Sequence, residues 1–165
     1  MELLALSFHD LRAGSMTIYP EYSHDGISDQ LTHCAAPPLL YSHLHRMLSG
    51  SKRSGAPLTL VLITVPILSG LEEILAMAHV INQVMRKEDL SGRTGHFEFV
   101  IVLSGSISSG EKFLERVGKA TKIAFTSELV EWVREETSLQ LLYRLDLAAE
   151  SSAKTYAASL TNSRK

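Results

Sequence analysis

The sequence predicts an α+β sandwich of the split βαβ type, a mostly antiparallel central sheet with helices packed on it. Three patterns carry this expectation. Residues 58–65, Leu-Thr-Leu-Val-Leu-Ile-Thr-Val, are a nearly continuous apolar run rich in β-branched residues, the mark of a strand buried within a sheet. Leu71, Ile74, Leu75, Ala78, Ile81 and Met85 recur at intervals of three and four, as on one face of a long helix. Phe97 to Leu103 reads as a second apolar strand, and Gly95-His96 before it suits a tight hairpin turn from a short strand near 90–94.

The remaining elements are read in order. Residues 1–28 mix Gly14, Pro20 and Gly26 with several His and Ser and few periodic apolar positions, and read as an irregular lead-in. From Pro38 a first helix is expected, with Leu40, Leu44, Met47 and Leu48 on one face and proline tolerated near the start. Residues 49–57, which include Gly50, Lys52, Arg53 and Gly55, read as a solvated loop. Ser69 and Glu72 have capping-box spacing ahead of the long helix, whose pattern stops at Arg86-Lys87-Glu88-Asp89. Ser108 and Glu111 repeat that spacing before a helix carrying Phe113, Leu114 and Val117. Thr126 is placed to cap a short helix through Leu129, Val130 and Val133, with Trp132 as core or half-buried packing. Leu139, Leu141, Tyr143, Leu145 and Leu147 alternate with Gln140, Arg144 and Asp146, the period of a strand with one buried face. The domain is expected over 29–150, followed by a polar tail over 151–165 that frays.

Composition bounds the function. A chain of 165 residues with 45% hydrophobic and 21% charged side chains has the size and balance of one folded globular domain. Its net charge of -2 gives no field suited to a phosphate backbone, which argues against nucleic acid as the main partner. The longest apolar stretch, Leu58 to Leu68, is interrupted by Thr59, Thr64 and Pro66 and falls short of the roughly 20 residues of a membrane span. The N-terminus lacks a basic n-region and meets His9 and Asp10 early, so a cytosolic location is expected. Cys34 is the single cysteine, and with His33 it makes a poor metal pair for want of a second pair of ligands. His43 and His45, two apart on a helix, face different directions. No resident metal or cofactor is expected.

Three blocks, in order and at matching spacing, resemble the bacterial GGDEF (diguanylate cyclase) family over residues 29 to 147. Asp29-Gln30-Leu31-Thr32 matches the Asp-x-Leu-Thr that opens such domains, although His33-Cys34-Ala35-Ala36-Pro37 departs from the Gly-Leu-Pro-Asn-Arg that comes next in the family. Pro57 to Leu68 aligns with the family's central strand and places Thr64 and Pro66 where its two aspartates stand. Arg86-x-x-Asp89, five residues, then Gly95-His96-Phe97-Glu98-Phe99, has the spacing between the family's inhibitory-site motif and its active-site turn.

The resemblance implies a nucleotide-cyclase-like fold and a failed active site. Joining two GTP molecules uses carboxylate-held metal ions to neutralise phosphates, and hard Mg²⁺ wants oxygen ligands. Thr64 and Phe97 stand at those positions; a hydroxyl is a weak ligand and a phenyl ring is none. Glu98 is the acidic residue left there, and it also reads as a solvated strand residue. His96 replaces the glycine that lets phosphate approach, and its side chain crowds that space. The stretch between Val65 and Arg86 is shorter than the family's, which removes the segment that holds guanine and ribose.

The resemblance also implies that Arg86 and Asp89 bind cyclic di-GMP, with Arg93 adding attraction. A guanidinium bonds phosphate or a guanine edge bidentately, and a carboxylate accepts from guanine N–H groups. The competing structural role for Arg86 is to serve the helix C-terminus, with Asp89 pairing or capping the turn. The expectation is therefore a catalytically inactive regulatory or scaffolding module of bacterial cyclic di-GMP signalling that docks to a protein partner, with a homodimer left open. The alternatives are a weak GTP-binding or nucleotidyl cyclase enzyme and a shared fold with an unrelated activity.

Overall fold

The computed structural model describes residues 20–162, with side chains described through residue 155. The start of the expected lead-in, 1–19, and the end of the expected tail, 163–165, lie outside the described residues. The elements run α1 (Pro37–Ser54), β1 (Leu58–Thr64), α2 (Leu71–Val84), β2 (Leu90–Arg93), β3 (Glu98–Ser104), α3 (Ile107–Ala120), β4 (Thr126–Glu131) and α4 (Ser138–Asn162).

One four-stranded sheet has the order β2-β3-β1-β4 with every neighbouring pair antiparallel. Two interleaved split βαβ units, β1-α2-β2 around β3 and β3-α3-β4 around β1, account for that order. The expected α+β architecture with an antiparallel sheet is therefore the observed one. The central strands are apolar through most of their length, Leu60–Ile63 in β1 and Phe99–Leu103 in β3, because both faces are covered. Val61, Ile63, Phe99 and Ile101 pack with Ile74, Met77, Ile81, Phe113 and Val117 of α2 and α3. Leu58, Leu60, Leu62, Val100 and Val102 pack with Leu40, Leu44 and Leu48 of α1 and with Leu141 and Leu145 of α4. The two-residue side-chain period of a strand sends alternate residues into these two cores.

The two C-terminal expectations are corrected. Residues 126–131 form the edge strand β4, not a helix; they pair with β1 from Thr126 opposite Thr64 to Glu131 opposite Thr59. The exposed edge of β1 would otherwise leave a row of buried backbone groups unpaired. Trp132 then comes after a strand; it is half-buried on the α1/α4 core and donates its Nε1–H to the Glu136 carbonyl at 3.0 Å. Residues 139–147 belong to α4, not to a strand. Leu141 and Leu145, one turn apart, are its buried face, while Leu139, Tyr143 and Leu147 point to solvent. Residues 151–162, expected to fray, continue α4.

Smaller shifts concern helix ends. α1 extends through Ser54, and Gly55, at φ +72°, closes it by donating its N–H to the Ser51 carbonyl. The reciprocal bond at the start of α2 comes from Gly70, whose N–H donates to Glu73 Oε2 at 2.9 Å, one residue later than the expected Ser69 and Glu72. α3 begins at Ile107, just before Ser108. On α2 the buried face is Ile74, Met77, Ala78, Val80 and Ile81, whereas Leu71 and Leu75 are exposed.

Candidate functional site

The sheet presents candidate sites at opposite ends of β3. Asp29 and Arg93 build the support of the first. The segment ahead of α1 is an irregular strap held by isolated bridges, His24 to Asp29, Ser28 to Ala35 and Ala35 to Gly92 of β2. It folds back through a tight turn in which His33, at φ +57°, donates its N–H to the Asp29 carbonyl. The Asp29 carboxylate accepts from the Thr32 N–H at 2.7 Å and the Thr32 hydroxyl at 2.6 Å. This places it beneath Arg93, whose Nη1 lies 3.1 Å from both Asp29 oxygens with both side chains fully buried.

Arg93 also donates to the Glu21 carbonyl at 2.6 Å and, through Nη2, to the His96 carbonyl at 2.9 Å, and the Tyr22 ring lies 5.5 Å from its Cζ. The guanidinium therefore clamps the strap to the β2–β3 turn. This corrects the expectation that Arg93 contacts a ligand: it is enclosed and its charge is answered by Asp29.

Above that clamp, Gly95, His96, Phe97 and Glu98 form the turn, and with Thr64, Val65 and Ile67 they line a cleft of about 500 Å³. Phe99, the last residue of the motif, is fully buried in the α2/α3 core. Thr64 sits directly across from Glu98 in the β1–β3 register. A second cleft of about 650 Å³ shares Thr64 and Glu98 and runs under Ala149, Glu150, Ser152 and Ala153 of α4. Desolvation, and then the negative charge of Asp146, push the Glu98 carboxyl above the ordinary carboxylate range, although the residue stays open to solvent. His96 Nδ1 lies 3.0 Å from the Pro20 carbonyl oxygen. Among the described residues no three of His, Cys, Asp and Glu are grouped to hold a metal ion. Cys34 is buried and its thiol is pushed up by desolvation, while the neighbouring His33 is exposed.

The second site is at the far end. Arg86 and Asp89 lie in the turn between α2 and β2, Arg86 exposed and Asp89 buried. Asp89 Oδ2 accepts from the Arg86 N–H at 3.3 Å and Oδ1 from the Ser104 N–H at 3.0 Å, which ties the turn to the end of β3. Both residues line a small pocket of about 80 Å³ with Lys112 and Arg116 of α3, together with Leu103, Ser104, Ser109 and Phe113. Three cationic side chains, Arg86, Lys112 and Arg116, and one carboxylate, Asp89, thus line it together. Sequence reasoning missed Lys112 and Arg116. Their spacing of four on one helix face was the signal available.

No protein-family model and no curated protein matches the sequence. Solved structures do. The GGDEF domain of DgcB from Caulobacter crescentus, in complex with c-di-GMP, matches with TM-score 0.71 at 19% identity, covering 82% of this chain and 94% of that one. The chain has the GGDEF-domain fold. Two further structures with this fold are from Pseudomonas aeruginosa. The diguanylate cyclase SiaD, in complex with its activator SiaC, matches with TM-score 0.70 at 22% identity over 78% of this chain, which spans 58% of the SiaD chain. The FimX GGDEF domain matches with TM-score 0.67 at 14% identity, covering 78% of this chain and 94% of that one. Within the GGDEF fold, the Gly95–Glu98 turn is the β2–β3 hairpin and the Arg86–Asp89 pocket lies at the other end of β3.

Proposed function

We propose that this chain is a catalytically silent GGDEF-like module of bacterial cyclic di-GMP signalling. It acts by docking to a protein partner in the cytosol and takes cyclic di-GMP at Arg86 and Asp89. The observation that carries the reading is the cleft at the turn, where Thr64 and Phe97 stand at the positions the resemblance gives to metal-binding carboxylates. A hydroxyl, a phenyl ring and one carboxyl whose ionisation is disfavoured are a poor donor set for Mg²⁺, so these residues do not fit the metal that cyclisation uses. His96 adds bulk where phosphate would approach.

At the other end, Arg86, Lys112 and Arg116 supply cationic donors, and Asp89 is held ready by two backbone N–H groups. That arrangement supports nucleotide recognition without catalysis. The neighbours solved with c-di-GMP or with a protein activator are in keeping with both partner classes. The rival reading, a divergent GTP-binding cyclase, rests on Glu98 alone.

Calorimetric titration with cyclic di-GMP, and separately with GTP and Mg²⁺, tests the proposal. Cyclic di-GMP binding that vanishes in Arg86→Ala, with no turnover of GTP, is the expected result. Turnover of GTP overturns the silent site, and absence of cyclic di-GMP binding reduces the proposal to protein docking.

A further inference from the structure

We propose that the cleft between the start of β4 and the middle turns of α4 is a docking groove for a basic segment of a protein partner, whose cationic side chains enter beside Glu98, Glu128 and Glu150. The inference rests on the reading of this chain as a docking module and adds to it the surface used and the chemistry of the partner.

The cleft follows from the sequence of α4. Leu141 and Leu145 fill the space between this helix and the sheet, and the next residues of the same row, at steps of four, are Ala149 and Ala153. Two isobutyl groups give way to two methyls, so the helix stops filling the gap and a cleft of about 650 Å³ opens toward the end of the sheet. Leu62 and Thr64 of β1 form its floor, with the first residues of β4 alongside. The volume falls in the range of about 300–1,000 Å³ over which proteins hold ligands.

The rim says what enters. Glu98 of β3, Glu128 of β4 and Glu150 of α4 line the cleft, and among its described lining residues there is no lysine or arginine. Asp146, one turn before Glu150, adds its charge, which reaches the Glu98 carboxyl. The cations nearby are committed or loosely held. Arg144 bonds to Glu136 and to the Glu131 carbonyl, and Lys154 lies 3.9 Å from Glu150 with both side chains exposed. Carboxylates converging from three elements repel one another in the free chain, and a bound cation turns that repulsion into attraction. An apolar floor under an acidic rim matches a lysine or arginine side chain: its methylene stem lies on Leu62, Ala149 and Ala153 while its head meets carboxylate oxygens. Spreading the carboxylates over three elements suits several cations on one segment better than a single free ion. Thr64 and Glu98 also line the cleft at the Gly95–Glu98 turn, so a docked segment lies beside that turn.

The test titrates the isotope-labelled full chain with the peptide acetyl-Leu-Arg-Leu-Arg-Leu-amide and follows amide resonances, with peptides carrying Gln or Glu in place of Arg as controls. The arginine peptide is expected to shift Thr64, Glu98, Glu128 and residues 149–153, and to bind more weakly as salt is added. It should outbind the glutamine peptide about tenfold, the worth of a charge-assisted bond. Glu150→Lys, at an exposed helix position, should remove most of that advantage. Ser152→Trp fills the cleft without changing its charge, and should weaken the arginine and glutamine peptides alike. Absence of shifts, or equal binding of all three peptides, overturns the proposal. Shifts confined to another surface overturn the cleft while leaving the docking module standing. Cleft shifts that appear without peptide as protein concentration rises also overturn it, because the occupant is then a second copy. Turnover of GTP with Mg²⁺ in the same samples is the separate result that unseats the docking module itself.

Discussion

Arg93 and Asp29 form a fully buried ion pair, with one guanidinium nitrogen 3.1 Å from both carboxylate oxygens. The pair links the strap to the hairpin, and Thr32 satisfies Asp29 further, while Arg93 Nε has no partner among the described residues. Removing one charge strands the other in the interior. Asp29→Ala is expected to cost about 3–5 kcal/mol in urea unfolding. Asp29→Ala with Arg93→Met should cost less than the sum of the single changes, with a coupling of about 0.5–3 kcal/mol. Strict additivity would show that the pair does not hold the strap.

Arg86 and Asp89 should separate binding from stability. Arg86 is exposed, so Arg86→Ala should leave the unfolding midpoint nearly unchanged, within about 0.5 kcal/mol. It should weaken cyclic di-GMP binding by about 1.5–3 kcal/mol, the worth of hydrogen bonds to charged groups. Asp89→Ala should instead destabilise by about 1–3 kcal/mol, because the Ser104 N–H loses its acceptor. Calorimetry at two salt concentrations should further show a shallower salt dependence in Arg116→Ala.

Two glycines should respond with opposite sign to alanine. A Cβ on Gly92 would lie 2.7 Å from Leu40 Cδ2 and 3.1 Å from the Ala35 carbonyl oxygen, and Leu40 is fully buried. Gly92→Ala should cost about 1–3 kcal/mol. Gly118, inside α3, has nothing within 4 Å of such a Cβ, and Gly118→Ala should stabilise by about 0.5–1 kcal/mol. Thermal unfolding of the two variants side by side checks both.

Glu98 gives a pH dependence. Its folded carboxyl is raised above the ordinary value, first by desolvation and then by Asp146, so the folded state holds the proton more tightly than the unfolded one. Stability from this group is full below the unfolded pKa and is lost as pH rises through the folded pKa. Urea midpoints measured upward from the ordinary Glu range should therefore fall in the wild type and fall less in Glu98→Gln. An equal decline in both would remove Glu98 as the cause.

β1, β3 and α2 were legible because each carries an apolar pattern long enough to have one period. β4 and α4 were misread for different reasons. In α4 the leucines satisfy two periods at once: Leu141 and Leu145 fit a helix, while Leu139, Tyr143 and Leu147 complete a false alternation. β4 is set by a partner far away in sequence, the free edge of β1, and residues 126–131 carry little local sign of it. The site shows the same limit. Arg93 looked available because its burial is created by Asp29, 64 positions earlier. Lys112 and Arg116 went unnoticed because only the approach of α3 to the α2–β2 turn gives them a shared pocket with Arg86.

The placement of the two sites at either end of β3 has a consequence for how this chain can change. A seven-residue strand separates them by about 20 Å at roughly 3.4 Å per residue, and its interior is packed on both faces. Substitutions at the Gly95–Glu98 turn leave the walls of the Arg86 pocket untouched, and the reverse holds. The two ends are thus free to drift at different rates under mutation.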